Sequence, residues 1–148
     1  MSEWLYNGNK LDQAPEDVFG FVYCITNNMT GQRYIGKKQF WSHRSKKVAG
    51  RRNRKHYTKE ADWREYWSSC DELKEDVHTI GDSKFTREIL RMCKTKGELT
   101  YSEVEYQIKM DVLTSKLPNG QPAFYNRNIM NRWFAKADTL CESAGTQD

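Results

Sequence analysis

Residues 19–36 leave the chain little choice but a β-hairpin. Phe19 to Thr26 is an apolar, β-branched run with Gly20 near its start, a composition that suits a pleated, half-buried surface. Asn27-Asn28-Met29-Thr30-Gly31 then supplies turn chemistry, and Gln32-Arg33-Tyr34-Ile35-Gly36 returns as a second short strand ending in a glycine. An isolated hairpin is marginal in water, so more strands or a helix must cover it. Lys84 to Cys93, with imperfect alternation, reads as the third strand.

Helical covers are legible in two places. Ser69-Cys70-Asp71-Glu72 matches a capping box, Leu73, Val77 and Ile80 form one apolar face, and Gly81 stands at the C-cap. Thr95-Lys96-Gly97-Glu98 is a second capping box, opening a helix that runs to about Leu113. Trp63, Tyr66 and Trp67, within 58–67, also fall at helical spacing and read as core aromatics. Residues 118–122 form a loop, and 124–134 return Tyr125, Ile129, Met130 and Trp133 to the core. The expected organisation is an N-terminal extension (1–17), one domain (18–137) carrying a basic segment (37–59), and a frayed tail (138–148). The fold class is α/β (α+β): a small mixed or antiparallel sheet of about three strands flanked by helices.

With 148 residues, the chain fits one domain with a working core. It is 30% charged and only 37% hydrophobic, but its 5 Trp, 8 Tyr and 6 Phe argue against disorder. No stretch approaches a membrane span and the first residues lack signal-peptide layout, so no membrane partner and a cytoplasmic location are expected. Cys24, Cys70, Cys93 and Cys141 are scattered, and His43, His56 and His78 are too dispersed to be a metal set; reduced thiols and no structural zinc follow.

Charge is distributed unevenly. Residues 37–59 hold ten Lys/Arg and no acid, whereas the rest of the chain has 14 basic and 20 acidic residues. A mildly acidic body thus presents one basic stretch suited to a polyanion. Phe40, Trp41, His43, Asn53, His56 and Tyr57 are interleaved with the cations, which makes nucleic acid the leading partner. Lys38, Lys46, Lys47, Arg51, Arg52, Arg54 and Lys55 are the candidate phosphate contacts.

Phe21-Val22-Tyr23, Tyr34-Ile35-Gly36 and Arg44 together resemble the signature of the GIY-YIG nuclease superfamily. The two tyrosines are eleven residues apart and the arginine follows ten later, as is common there. Lys37 matches a lysine of the related excision-repair nuclease domain, and Tyr125-Asn126 fills the place of the family's late asparagine. The family's metal-binding glutamate has two candidates, Glu103 and Glu105. Similarity of Tyr101–Gln107 to phage-encoded members points to Glu103; comparison with intron-encoded homing members leans to Glu105. The first motif departs from the family in reading Phe-Val-Tyr, and Val48 stands where a His or Tyr often follows the arginine; His43, His56 or Tyr57 are the alternatives.

The resemblance implies a stand-alone, phage-type or homing-like endonuclease that cuts DNA to 5'-phosphate and 3'-hydroxyl ends. It implies Tyr23 as general base, Tyr34 orienting water or phosphate, Arg44 clamping phosphoryl oxygens, Mg2+ (or Mn2+) on Glu103, and Asn126 holding the site or the phosphate. Hydrolysis needs an activated water and stabilised charge on the phosphoryl and leaving oxygens. A tyrosine, with a pKa of about 10, is a poor base unless cations lower that value, and Lys37 and Arg44 are the residues expected to do so. One carboxylate suits Mg2+, which keeps most of its waters. One site makes one nick, so double-strand breaks call for a homodimer on DNA or successive turnovers. The rival reading is a GIY-YIG-like module that grips DNA or RNA without cutting it.

Overall fold

The structure, a computed structural model, describes residues 3–47, 49–50, 52 and 55–135. Its centre is the expected hairpin: β3 (Gly20–Asn27) and β4 (Arg33–Gln39) pair antiparallel from Gly20↔Gln39 to Thr26↔Arg33. Asn27 Oδ1 accepts from the N–H groups of Met29 (2.9 Å) and Thr30 (3.3 Å), and Gly31 at φ 87° takes the left-handed step. β7 (Phe85–Cys93) pairs antiparallel with the other side of β3. The N-terminal segment adds two more strands, β1 (Trp4–Tyr6), parallel to β7, and β2 (Asn9–Lys10). The sheet order is β2-β1-β7-β3-β4, five strands where about three were expected.

Alternation along β3 explains why this sheet needs cover on both faces. Phe21, Tyr23 and Ile25 enter one core cluster while Val22 and Cys24 enter the other. The first face is packed with rings: Phe21 lies 5.0 Å from Trp4 and 4.7 Å from Phe40, and Trp63 meets Phe40 edge-on at 5.0 Å. Leu73 and Val77 of α1 (Asp71–Ile80) close that side. The second face takes Leu99 of α2 (Lys96–Lys109) with Val112, Phe124 and Ile129. The mixed sheet with flanking helices is therefore the fold.

Several local expectations are corrected. Residues 61–70 are not helical, because their backbone serves tertiary partners: Trp4 Nε1 donates to the carbonyl of Trp63 (2.7 Å), and Arg87 to those of Arg64 and Tyr66 (3.0 and 2.8 Å). α1 begins at Asp71 with Cys70 as N-cap and no capping side chain; Ser69, read as the cap, bonds the Tyr34 phenol instead. The second capping box forms, with Thr95 Oγ1 accepting from Glu98 N (3.1 Å), but Glu98 Oε1 reaches back to Lys94 N (2.9 Å) and α2 stops at Lys109. Met130 and Trp133 are exposed, since positive φ at Met130 and Asn131 turns the chain between β8 (Asn128–Ile129) and β9 (Trp133–Phe134).

The basic segment forms a two-stranded hairpin of its own, β5 (Trp41–Lys46) with β6 (Lys55–Glu60). It is tied to the body where Phe40 N donates to Phe19 O (2.9 Å) and Ala61 N to Phe40 O (2.8 Å). Arg44 stands opposite Tyr57 and Lys46 opposite Lys55; their side chains lie outside what is described, as do Arg51, Arg54 and the tail beyond residue 135. Among the described residues, Cys24, Cys70 and Cys93 are free thiols, and no helix is long and apolar enough to cross a membrane.

Candidate active site

β4 is an edge strand, and part of its outward backbone is covered. Arg33 N donates to Ala123 O (3.0 Å) and Tyr125 N to Arg33 O (2.7 Å). Two residues on, Asn126 takes over with its side chain: Oδ1 accepts from Ile35 N (3.0 Å) and Nδ2 donates to Ile35 O (2.8 Å). Gln107 of α2 adds a third bond, Nε2 to Ile35 O (3.0 Å). Asn126 and Gln107 are both buried, so the amides act as a replacement strand for an edge that water cannot reach. Alternation makes Lys37 the next residue with an outward backbone, just past the end of this cover.

At that point the edge narrows to Gly36. A Cβ there would lie 2.5 Å from Tyr23 Oη, 2.7 Å from Tyr23 Cζ and 2.8 Å from Tyr34 Cε2. Glycine is required because both rings rest on the strand at this spot. The rings are 6.1 Å apart, and Tyr66, from the 61–70 loop, meets Tyr23 edge-on at 6.0 Å. A shift in register between Val22 and Tyr23 on the β7 side marks a bulge beside the first tyrosine.

Neither phenol is acidic. Burial raises the Tyr23 pKa well above its ordinary value, with Tyr66, Tyr34 and the Glu103 carboxylate adding to the effect. Tyr34 is pushed up to about 12, mainly by burial, against a lowering hydrogen bond from Ser69. Among the described residues no cation is seen to lower the Tyr23 value, Arg44 having its side chain outside them, and these influences keep both residues neutral near pH 7.

Lys37 and Glu103 approach the same edge from the α2 side. Lys37 Nζ donates to Thr100 Oγ1 (2.9 Å). Thr100, Glu103 and Gln107 lie at helical spacing on the face of α2 turned to β4. Glu103 is half-buried, and burial raises its pKa while Lys37 lowers it. Glu105 looks elsewhere: it pairs with Arg91 (3.8 Å) and Lys109 (3.0 Å). Among the described residues no group of three His, Cys, Asp or Glu side chains could hold a metal, so a cation here would have one protein carboxylate and its own waters. That donor set fits Mg2+.

Tyr23, Tyr34, Lys37 and Glu103 therefore come together, and Asn126 stands behind them as a brace on Ile35. Lys38 extends the site, its Nζ 2.6 Å from Asp62 Oδ1 and 4.4 Å from the centre of the Tyr66 ring. Arg44 is on the separate hairpin, and Lys47 and Arg52 are exposed near its tip. Tyr66, Ser69, Gln107 and Arg87 were not identified as site residues from the sequence. Arg87 is buried, its guanidinium between the rings of Trp4 (4.6 Å) and Trp67 (4.3 Å), and its two bonds to the 61–70 backbone seat Tyr66. Burial lowers its pKa to about 10, which leaves it charged at neutral pH. The available signal was a basic residue in register with Phe85 and Ile89, on the side of the strand that alternation turns inward.

No curated protein and no solved structure matches the chain. A family model does, over residues 4–129, described as putative endonuclease segE, GIY-YIG domain. The match starts at β1 and ends at β8, so it takes in the whole sheet, both helices and every side chain gathered at the β4 edge. The chain belongs to the segE-type GIY-YIG endonuclease domain family.

Proposed function

We propose that the protein is a metal-dependent endonuclease that hydrolyses DNA phosphodiester bonds at the β4 edge around Gly36. The observation that carries this is the meeting of Tyr23, Tyr34, Lys37 and Glu103, from two strands and a helix, where the edge loses its cover. Glu103, rather than the ion-paired Glu105, is the residue to hold Mg2+ or Mn2+. Such a cation would stabilise the leaving 3' oxygen and cancel the Glu103 field that now raises both phenols. Tyr34 orients the attacking water or the phosphate, Lys37 neutralises charge on the phosphoryl oxygens, and Tyr23 takes the water's proton as the phenolate, formed by loss of its own proton to solvent once cation and phosphate are bound. Arg44 reaches the phosphoryl group from the basic hairpin, which grips the flanking duplex through Lys46, Lys47, Arg51, Arg52, Arg54 and Lys55. Two nicks require a second copy on the DNA or a second turnover.

The neutral, buried state of Tyr23 favours one other reading, a module that binds nucleic acid without cutting it. Supercoiled plasmid separates the two. Under our reading Mg2+ gives nicked or linear product, EDTA stops it, and Glu103→Ala binds but does not cut. Salt-sensitive binding with no cleavage by the unmodified protein in Mg2+ or Mn2+ would sink the nuclease and leave the module.

A further inference from the structure

A small cavity of about 220 Å3 lies beside Tyr66, between the end of β4 and the first turn of α2. Lys37, Lys38 and Lys96 line it together with Gln39 and Tyr66, and Leu99 forms part of its floor. We infer that this cavity is a subsite for a second phosphate of the bound strand, within about three nucleotides of the one that is cut. The inference rests on the nuclease site proposed above and extends it to substrate contacts made by Lys38 and Lys96.

Four features fit an anion of that size. The volume is below the roughly 300 Å3 at which pockets for whole organic ligands begin, so it suits a phosphate with water and excludes a nucleobase and sugar together. Three lysines and no acidic residue line it, the Lys38 ammonium being paired with Asp62 outside the lining. Lys38 is already oriented, held by Asp62 and lying over the Tyr66 ring, so little side-chain entropy is lost when it meets an oxygen. Lys96 is the first residue of a 14-residue helix, whose N-terminal end adds positive potential, with only the Glu98 N–H of its first turn taken by the Thr95 cap. Among the described residues no ion pair or hydrogen bond engages the exposed Lys96 ammonium.

Position along the helix sets the distance. Lys96 and Glu103 are seven residues apart, nearly two turns, and so share a face about 10 Å apart. DNA rises about 3.4 Å per nucleotide along each strand. A strand whose scissile phosphate meets Glu103 and Lys37 therefore passes the cavity within about three nucleotides.

The test uses a DNA duplex in EDTA, which blocks cleavage, with single phosphates near the cut replaced in turn by neutral methylphosphonate. The unmodified protein should lose affinity several-fold at one flanking position. The double variant Lys38→Gln/Lys96→Gln, checked for native circular dichroism, should lose nothing further there, and its salt slope should fall by about 0.9, the value of one phosphate contact. Equal sensitivity of both proteins at every position, or an unchanged slope, would overturn the subsite. Cleavage in Mg2+ is scored separately. A protein that shows the position effect but never cuts would retain the subsite and lose the nuclease; one that cuts without the position effect would do the reverse.

Discussion

At the scale of single residues, Gly36 shows how a motif position acquires its meaning. The contacts a methyl group would make there, 2.5 to 2.8 Å to the Tyr23 and Tyr34 rings, cannot be relieved without moving both phenols. Gly36→Ala should destabilise the fold by about 1–3 kcal/mol, as overpacking typically does, and abolish cleavage. Urea denaturation with a plasmid assay checks both, and a stable, active variant would mean the rings have room elsewhere. The pair Tyr23 and Tyr34 was legible because both sit on one hairpin, where spacing in sequence becomes spacing in space. Tyr66 and Ser69 were not, because nothing local sets the 61–70 loop. Its path follows from Arg87 and Trp4, more than twenty and nearly sixty residues away.

At the scale of elements, the edge of β4 depends on two amides that are not part of any strand. Asn126→Ala would remove the acceptor of the Ile35 N–H and one of the two donors to its carbonyl, leaving the Gln107 bond alone. A cost of about 1–3 kcal/mol is expected for the buried N–H left unmade. Hydrogen exchange should show the Ile35 amide opening well before its β3-facing neighbour, Tyr34; equal protection of the two would mean Asn126 is not the brace. The strands β3, β4 and β7 and both helices were readable from periodicity, and the start of α2 from its capping box as well. β1 was not, since three residues, Trp4-Leu5-Tyr6, carry no period and their partner is β7. The basic hairpin was hidden for the opposite reason: its charged residues are weak strand formers, and the strand order comes from pairing β5 with β6.

At the scale of the whole molecule, the site works against the fold. Burial raises the Glu103 pKa, so the folded protein binds that proton more tightly than the unfolded chain, whose carboxyl titrates near 4.3. The stabilisation this gives is complete below the unfolded value and is lost as pH rises through the folded one, where a desolvated charge must be carried. Glu103→Gln should therefore melt above the parent protein at pH 7 in EDTA and converge on it below about pH 4. Melting curves across that range decide the matter; a gap of the opposite sign, or one independent of pH, would show that the carboxylate is not strained by its surroundings.

The parallel pairing of β1 with β7 also orders events in time. The hairpin of β3 and β4 closes over a short turn and can form as soon as those residues exist. Trp4 pairs with Arg87, which follows it by more than eighty residues, and its indole bonds the carbonyl of Trp63. Loop closure of that length is slow to be rewarded. β1 thus leaves the ribosome long before its partner and is among the last strands to find its place, and until it does, Arg87 lacks one of the two rings that flank it and the loop bearing Tyr66 lacks one of its anchors.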